Sequence, residues 1–108
     1  MLDAYAVKAN FDALIDNKTR HSWLEMMRLL EGVEAPDANT FVIKMKEAYY
    51  PMLTELAVTR PFAFVSPNVM KDGKTKNGLT AFIGSGPYVL KEHVVDEYSV
   101  FEDNPDYW

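Results

Sequence analysis

Apolar positions along the chain recur first at helical spacing, then at every second residue. Val7, Phe11, Leu14 and Ile15 stand three and four apart, which predicts a helix over 4–17, with Asp3 as its N-cap. Asn17-Lys18-Thr19 breaks it. Trp23, Met26, Met27 and Leu30 repeat the spacing and predict a second helix over about 20–30, with Gly32 as its stop. The period then changes. Phe41, Ile43 and Met45 alternate with Thr40, Val42, Lys44 and Lys46, so 33–36 and 40–46 read as strand, turn, strand with one buried face. Pro36 confines the first of these strands to an edge or ends it.

Pro51 suits the first turn of a third helix, over 51–58, with Met52, Leu53, Leu56 and Ala57 as its apolar residues. Phe62 to Val65 reads as extended, with a short helix near 68–71. Asp72-Gly73-Lys74-Thr75-Lys76-Asn77-Gly78 is the most loop-like run. Strands follow at 88–93 and 97–102. Helices and antiparallel strands are mixed without a regular strand–helix–strand rhythm, so the class is α+β. Gly84 and Gly86 let the chain turn tightly or lie flat against a neighbour, and Asn104-Pro105-Asp106 is turn chemistry that presents Tyr107 and Trp108.

Composition narrows the function. A chain of 108 residues holds one domain at most, and 48% apolar residues suffice for a modest core. A net charge of −5 argues against nucleic acid as a partner, since phosphates require a basic face. No cysteine is present, which removes disulfides and thiolate metal sites. No run approaches the length of a membrane span. Catalytic patterns are missing as well. His21 and His93 share no metal-ligand spacing, no Ser sits in a nucleophile elbow, and Gly84-Ser85-Gly86 is too short for a phosphate loop. The residues therefore read as non-enzymatic.

Arginine and tryptophan are the more suggestive set. Arg20 and Trp23 are spaced to share a helix face, and Arg60 follows a helix end. A guanidinium fork matches a carboxylate in two parallel hydrogen bonds, and an indole face can lie against a ligand. The same residues have plainer readings. Arg20 could pair with a carboxylate, Arg60 could complement a helix dipole, and Trp23 continues a stripe that reads as core. His21 points away from Arg20 and Trp23 and reads as a solvated or capping residue. His93 sits at a strand end. Tyr49 and Tyr50 read as rings packing the join of strand and helix, with hydroxyls reaching water or backbone. Tyr107 and Trp108 form an apolar patch suited to self-association.

Gly84-Ser85-Gly86-Pro87-Tyr88 followed by Asn104-Pro105-Asp106-Tyr107-Trp108 resembles the large extracytoplasmic solute-binding proteins of bacterial ABC importers, family 5, which carry dipeptides, oligopeptides and nickel complexes. Arg20-His21-Ser22-Trp23-Leu24-Glu25, Ala48-Tyr49-Tyr50-Pro51, Glu55-Leu56-Ala57 and Arg60-Pro61-Phe62 resemble its nickel-binding branch. The resemblance implies that residues 1–108 are a single subdomain excised from a larger protein, a piece of the N-terminal lobe. It implies a periplasmic or membrane-anchored extracytoplasmic parent, hinged closure of two lobes on the ligand, and delivery to an ABC permease. Arg20, Trp23 and Arg60 then line the cleft and meet a nickel–chelator complex, with no intrinsic cofactor and no protein metal ligand in this stretch. One side of the cleft is expected to bind weakly by itself. A dipeptide or oligopeptide ligand is the alternative within the family, and an interaction domain without transport is the alternative outside it. Met1 to Asp3 stand where family members continue from upstream sequence, and Thr59 replaces the Pro expected before Arg60.

Overall fold

The computed structural model describes residues 2–108; Met1 lies outside them. Helix α1 spans Ala4–Asp16, and the Asp3 carboxylate accepts from the Ala6 N–H at 2.7 Å as its N-cap. Helix α2 is short, Glu25–Leu29. Strands β1 (Leu30–Asp37) and β2 (Thr40–Met45) form an antiparallel pair with Val33 opposite Ile43 and Asp37 opposite Thr40. The Asp37 carboxylate accepts from the Asn39 N–H at 2.8 Å and closes the turn. That bond and those from Thr40 hold the Asp37 carboxyl below its ordinary range. Helix α3 covers Met52–Leu56, with Pro51 as its N-cap. A second antiparallel pair joins β3 (Tyr88–Val94) to β4 (Tyr98–Asp103). This matches the α+β expectation.

The core lies where α1 and α2 back onto the β1–β2 pair. Phe11, Leu14, Leu24, Met26, Met27, Leu30 and Val33 form its buried centre. Phe41, Ile43 and Met45 pack against it from the inner face of β2, as their alternation predicts. Phe11 is the hub of an aromatic group, with ring centroids 5.0 Å from Phe41, 5.8 Å from Phe62 and 5.9 Å from Phe64.

The segment after α3 has no regular structure until Pro67, yet Asn10 holds it firmly. The Asn10 amide donates to the Val65 carbonyl at 2.8 Å and accepts from the Val65 N–H at 3.1 Å. The run 72–78, expected as loop, winds into two 3-10 turns, Lys71–Gly73 and Thr75–Asn77. Asp72, Gly73 and Gly78 carry its positive φ angles, a geometry glycine adopts without steric cost. Lys74 and Lys76 anchor it by ion pairs to Asp16 at 3.1 and 2.7 Å, and both pull the Asp16 carboxyl below its ordinary range.

Three expectations need correction. The helix predicted over 20–30 is broken: Lys18–His21 is a 3-10 turn, residues 22–24 are non-helical, and Leu30 already belongs to β1. Leu30 pairs with Met45, so the ladder captures the end of the apparent helical stripe, and Gly32 sits inside a strand instead of stopping a helix. Neither Gly84 nor Gly86 adopts a positive φ, and no atom lies within 4 Å of a β-carbon built at Gly86. The turn before β3 is instead tied by Asn104, whose side chain donates to the Gly86 carbonyl at 2.8 Å while its N–H donates to the Pro87 carbonyl.

The β3–β4 hairpin stands apart from the core. Every residue of β4 is exposed, and among the described residues the hairpin packs extensively on no other element. The Cα radius of gyration is accordingly 15.2 Å, against about 13 Å for a compact chain of this length.

Candidate functional site

Arg20 lies in the 3-10 turn after α1, its N–H bonded to the Asn17 carbonyl at 3.1 Å. Trp23 follows in the turn before α2, which the Leu24 N–H closes by donating to the His21 carbonyl at 3.0 Å. Leu24 dives into the core, whereas Trp23 is 60% exposed. The core reading of the Trp23 stripe is therefore overturned: breaking the helix at 22–24 turns the indole outward while Met26 and Met27 stay inside. Arg60 is exposed at the turn after α3 and is joined to Pro61 by a cis peptide bond.

The chain beside the two arginines comes together at one place. His21, the neighbour of Arg20, and Pro61, the neighbour of Arg60, line one hollow of about 240 Å³ with Asn10, Val65, Thr75 and Leu79. Among the described residues, neither guanidinium forms a salt bridge, although the chain has 16 carboxylates. Other basic side chains do find partners: Arg28 binds Glu25, Lys44 binds Glu34 and Lys91 binds Glu102. Two free planar cations and an exposed indole make a surface suited to an anionic, partly apolar ligand.

His21 is half-buried at the edge of the hollow. Burial lowers its pKa from the ordinary 6.5, and the charge of Arg20 lowers it further. His93 is remote from this region, on β3, where Nδ1 lies 2.9 Å from the Ser99 Oγ. Among the described residues no group of three His, Asp or Glu side chains is arranged to hold a metal ion.

The sequence reading missed Glu55. It lies on α3, and its bonds reach the start of α2 and the segment between β2 and α3. Its carboxylate accepts from the Met26 N–H at 2.8 Å and from the Tyr49 hydroxyl at 2.6 Å. The hydroxyl of Tyr49 thus reaches a carboxylate, not water or backbone, and that bond pushes its pKa up to about 12, with burial and the Glu55 charge adding to the rise. Tyr50, expected to pack beside Tyr49, is fully exposed. No spacing rule links Glu55 to Met26, because the contact spans 29 residues.

Residues 1–108 match the family described as "Bacterial extracellular solute-binding proteins, family 5 Middle". The chain belongs to this family. A relative within it is the nickel-binding periplasmic protein of Escherichia coli K12, 44% identical over 106 residues, which span 98% of this chain and 20% of that protein. The periplasmic murein peptide-binding protein MppA of the same organism is 36% identical over 101 residues, 92% of this chain and 17% of that one. Among solved structures, NikA from Brucella suis in complex with Fe(III)-EDTA superposes with a TM-score of 0.93 at 42% identity, over 98% of this chain and 21% of NikA. This family 5 chain thus spans about a fifth of the length of the relatives it matches.

Proposed function

We propose that this chain is part of the substrate-binding component of an ABC importer and that its site takes a nickel–chelator complex. The observation that carries the reading is the set of Arg20, Trp23 and Arg60: two exposed guanidiniums without an ion-pair partner among the described residues and an exposed indole, with His21 and Pro61, the chain neighbours of the two arginines, lining one hollow. The likeness to a nickel-binding periplasmic protein and to NikA with a metal chelate supports it.

In this reading Arg20 and Arg60 grip carboxylates of the chelator, and Trp23 covers an apolar face of the complex. The metal arrives already wrapped and is cargo, so the chain need not supply its ligands. Binding, not catalysis, is the task. Residues from the rest of the protein complete the other wall, closure of two lobes traps the complex, and a membrane permease receives it outside the cytoplasm.

A peptide is the second reading, favoured by the likeness to the murein peptide-binding protein. A peptide's terminal carboxylate would meet the same arginines. Calorimetry on the protein separates the two. Heat from the nickel–histidine complex, weakened about 10- to 100-fold by Arg20→Ala or Arg60→Ala as expected for one lost charge-assisted hydrogen-bonded contact, supports the nickel reading. Heat from di- and tripeptides with none from the nickel complex replaces it with the peptide reading.

A further inference from the structure

Helix α2 begins immediately after Trp23 and lacks a cap of its own. Leu24 occupies the N-cap position and has no side chain able to accept a hydrogen bond. The need is met from elsewhere in the fold. Glu55, on α3, takes the Met26 N–H with Oε2 and the Tyr49 hydroxyl with Oε1. Met26 is fully buried, so this N–H has no ready access to water. Helix α3 is only five residues long, contains no buried residue, and leads directly to the turn carrying Arg60. Each of these short elements is weak by itself, and one carboxylate ties them together.

We propose that Glu55 is the positioning residue of the chelate site, locking the Trp23 turn to the helix that delivers Arg60. This rests on the nickel-chelate reading above. Tyr49 is the brace of the lock. Its ring packs on the core, its hydroxyl fixes the second carboxylate oxygen, and it remains a proton donor across the neutral range. No cation competes for Glu55: among the described residues it forms no salt bridge, and its bonds go to one backbone and one phenolic donor. A carboxylate serves here because it can accept two bonds from different directions at once.

The test uses Trp108→Phe protein, in which Trp23 is the tryptophan of this chain, and compares Glu55, Glu55→Gln, Glu55→Ala and Tyr49→Phe. Trp23 fluorescence anisotropy is read without ligand, and affinity for the nickel–histidine complex is read by titration. Glu55→Ala is expected to lower the anisotropy and weaken the complex about 10-fold, the scale of one lost charge-assisted hydrogen bond. Glu55→Gln keeps an acceptor for the Met26 N–H and is expected to recover most of both. Tyr49→Phe removes only the brace, gives a smaller drop, and carries the test if Glu55→Ala does not fold. Unchanged anisotropy in Glu55→Ala or Tyr49→Phe overturns the proposal. So does lowered anisotropy with unchanged affinity. If the unsubstituted Glu55 protein binds di- and tripeptides but gives no response to the nickel–histidine complex, the nickel reading fails, and with it the chelate-positioning role; the anisotropy series, read without ligand, then shows separately whether the Glu55 lock itself holds.

Discussion

Asn10 offers a sharp test of how the site is held. It is 5% exposed on α1, and its side-chain amide is fully engaged, donating to the Ala6 and Val65 carbonyls, both at 2.8 Å, and accepting from the Val65 N–H at 3.1 Å. The pair of bonds to Val65 replaces a sheet partner for a segment that has none. Asn10→Ala removes both. Two net hydrogen bonds contribute about 1–3 kcal/mol together, and orphaning the Val65 groups adds to the loss. Water can enter from the adjoining hollow, which both residues line, so the orphaning cost lies at its low end. Alanine regains about 0.5 kcal/mol of helix propensity. The expected net loss is about 2 kcal/mol, or a fall of about 1 M in the urea midpoint followed by circular dichroism. Hydrogen exchange localises the effect, because the Val65 amide should lose protection beyond the global change. A loss under about 0.5 kcal/mol with Val65 protection intact would refute the reasoning, since it would mean that the 61–66 segment is held by its packing and by the Ser66 N–H bond to the Ile83 carbonyl without help from Asn10.

Other outcomes follow from the same packing. Phe11→Ala removes the hub of the four-ring group and should cost about 3–5 kcal/mol, seen as a collapse of the thermal transition and of near-UV dichroism; a loss under about 1 kcal/mol contradicts the assigned core. Trp23→Ala should cost under about 0.5 kcal/mol because the indole is mostly exposed, and a large loss of stability would return Trp23 to the core. His21 has a folded pKa depressed below 6.5, so the unfolded chain binds its proton first as pH falls. Its contribution to stability is complete above pH 6.5 and is lost as pH drops through the window below. Midpoints measured from pH 8 to 5 should therefore fall less in His21→Gln than in the original protein; parallel curves would remove His21 as the cause.

Elements that depend on near neighbours were legible in the chain. The period of Val7, Phe11 and Leu14 marks α1, the alternation of Phe41, Ile43 and Met45 marks β2, and both hairpins lie close to their expected positions. The residue types of the candidate site were legible too, because guanidinium and indole chemistry does not depend on the fold. What the stripe of Trp23, Met26, Met27 and Leu30 would become was not. Three of those residues enter the core and one turns to solvent, because Leu30 is drawn into a ladder with Met45 and the helix starts only at Glu25. Glu55 stood out only as part of the Glu55-Leu56-Ala57 resemblance, and no local pattern showed its bonding role, which lies in an N–H 29 residues away. Local periodicity determines which residues favour helix or strand. Only the tertiary structure decides which long-range hydrogen bonds and ladder contacts override that preference, as the pairing of Leu30 with Met45 and the Glu55 bond to the Met26 N–H do here.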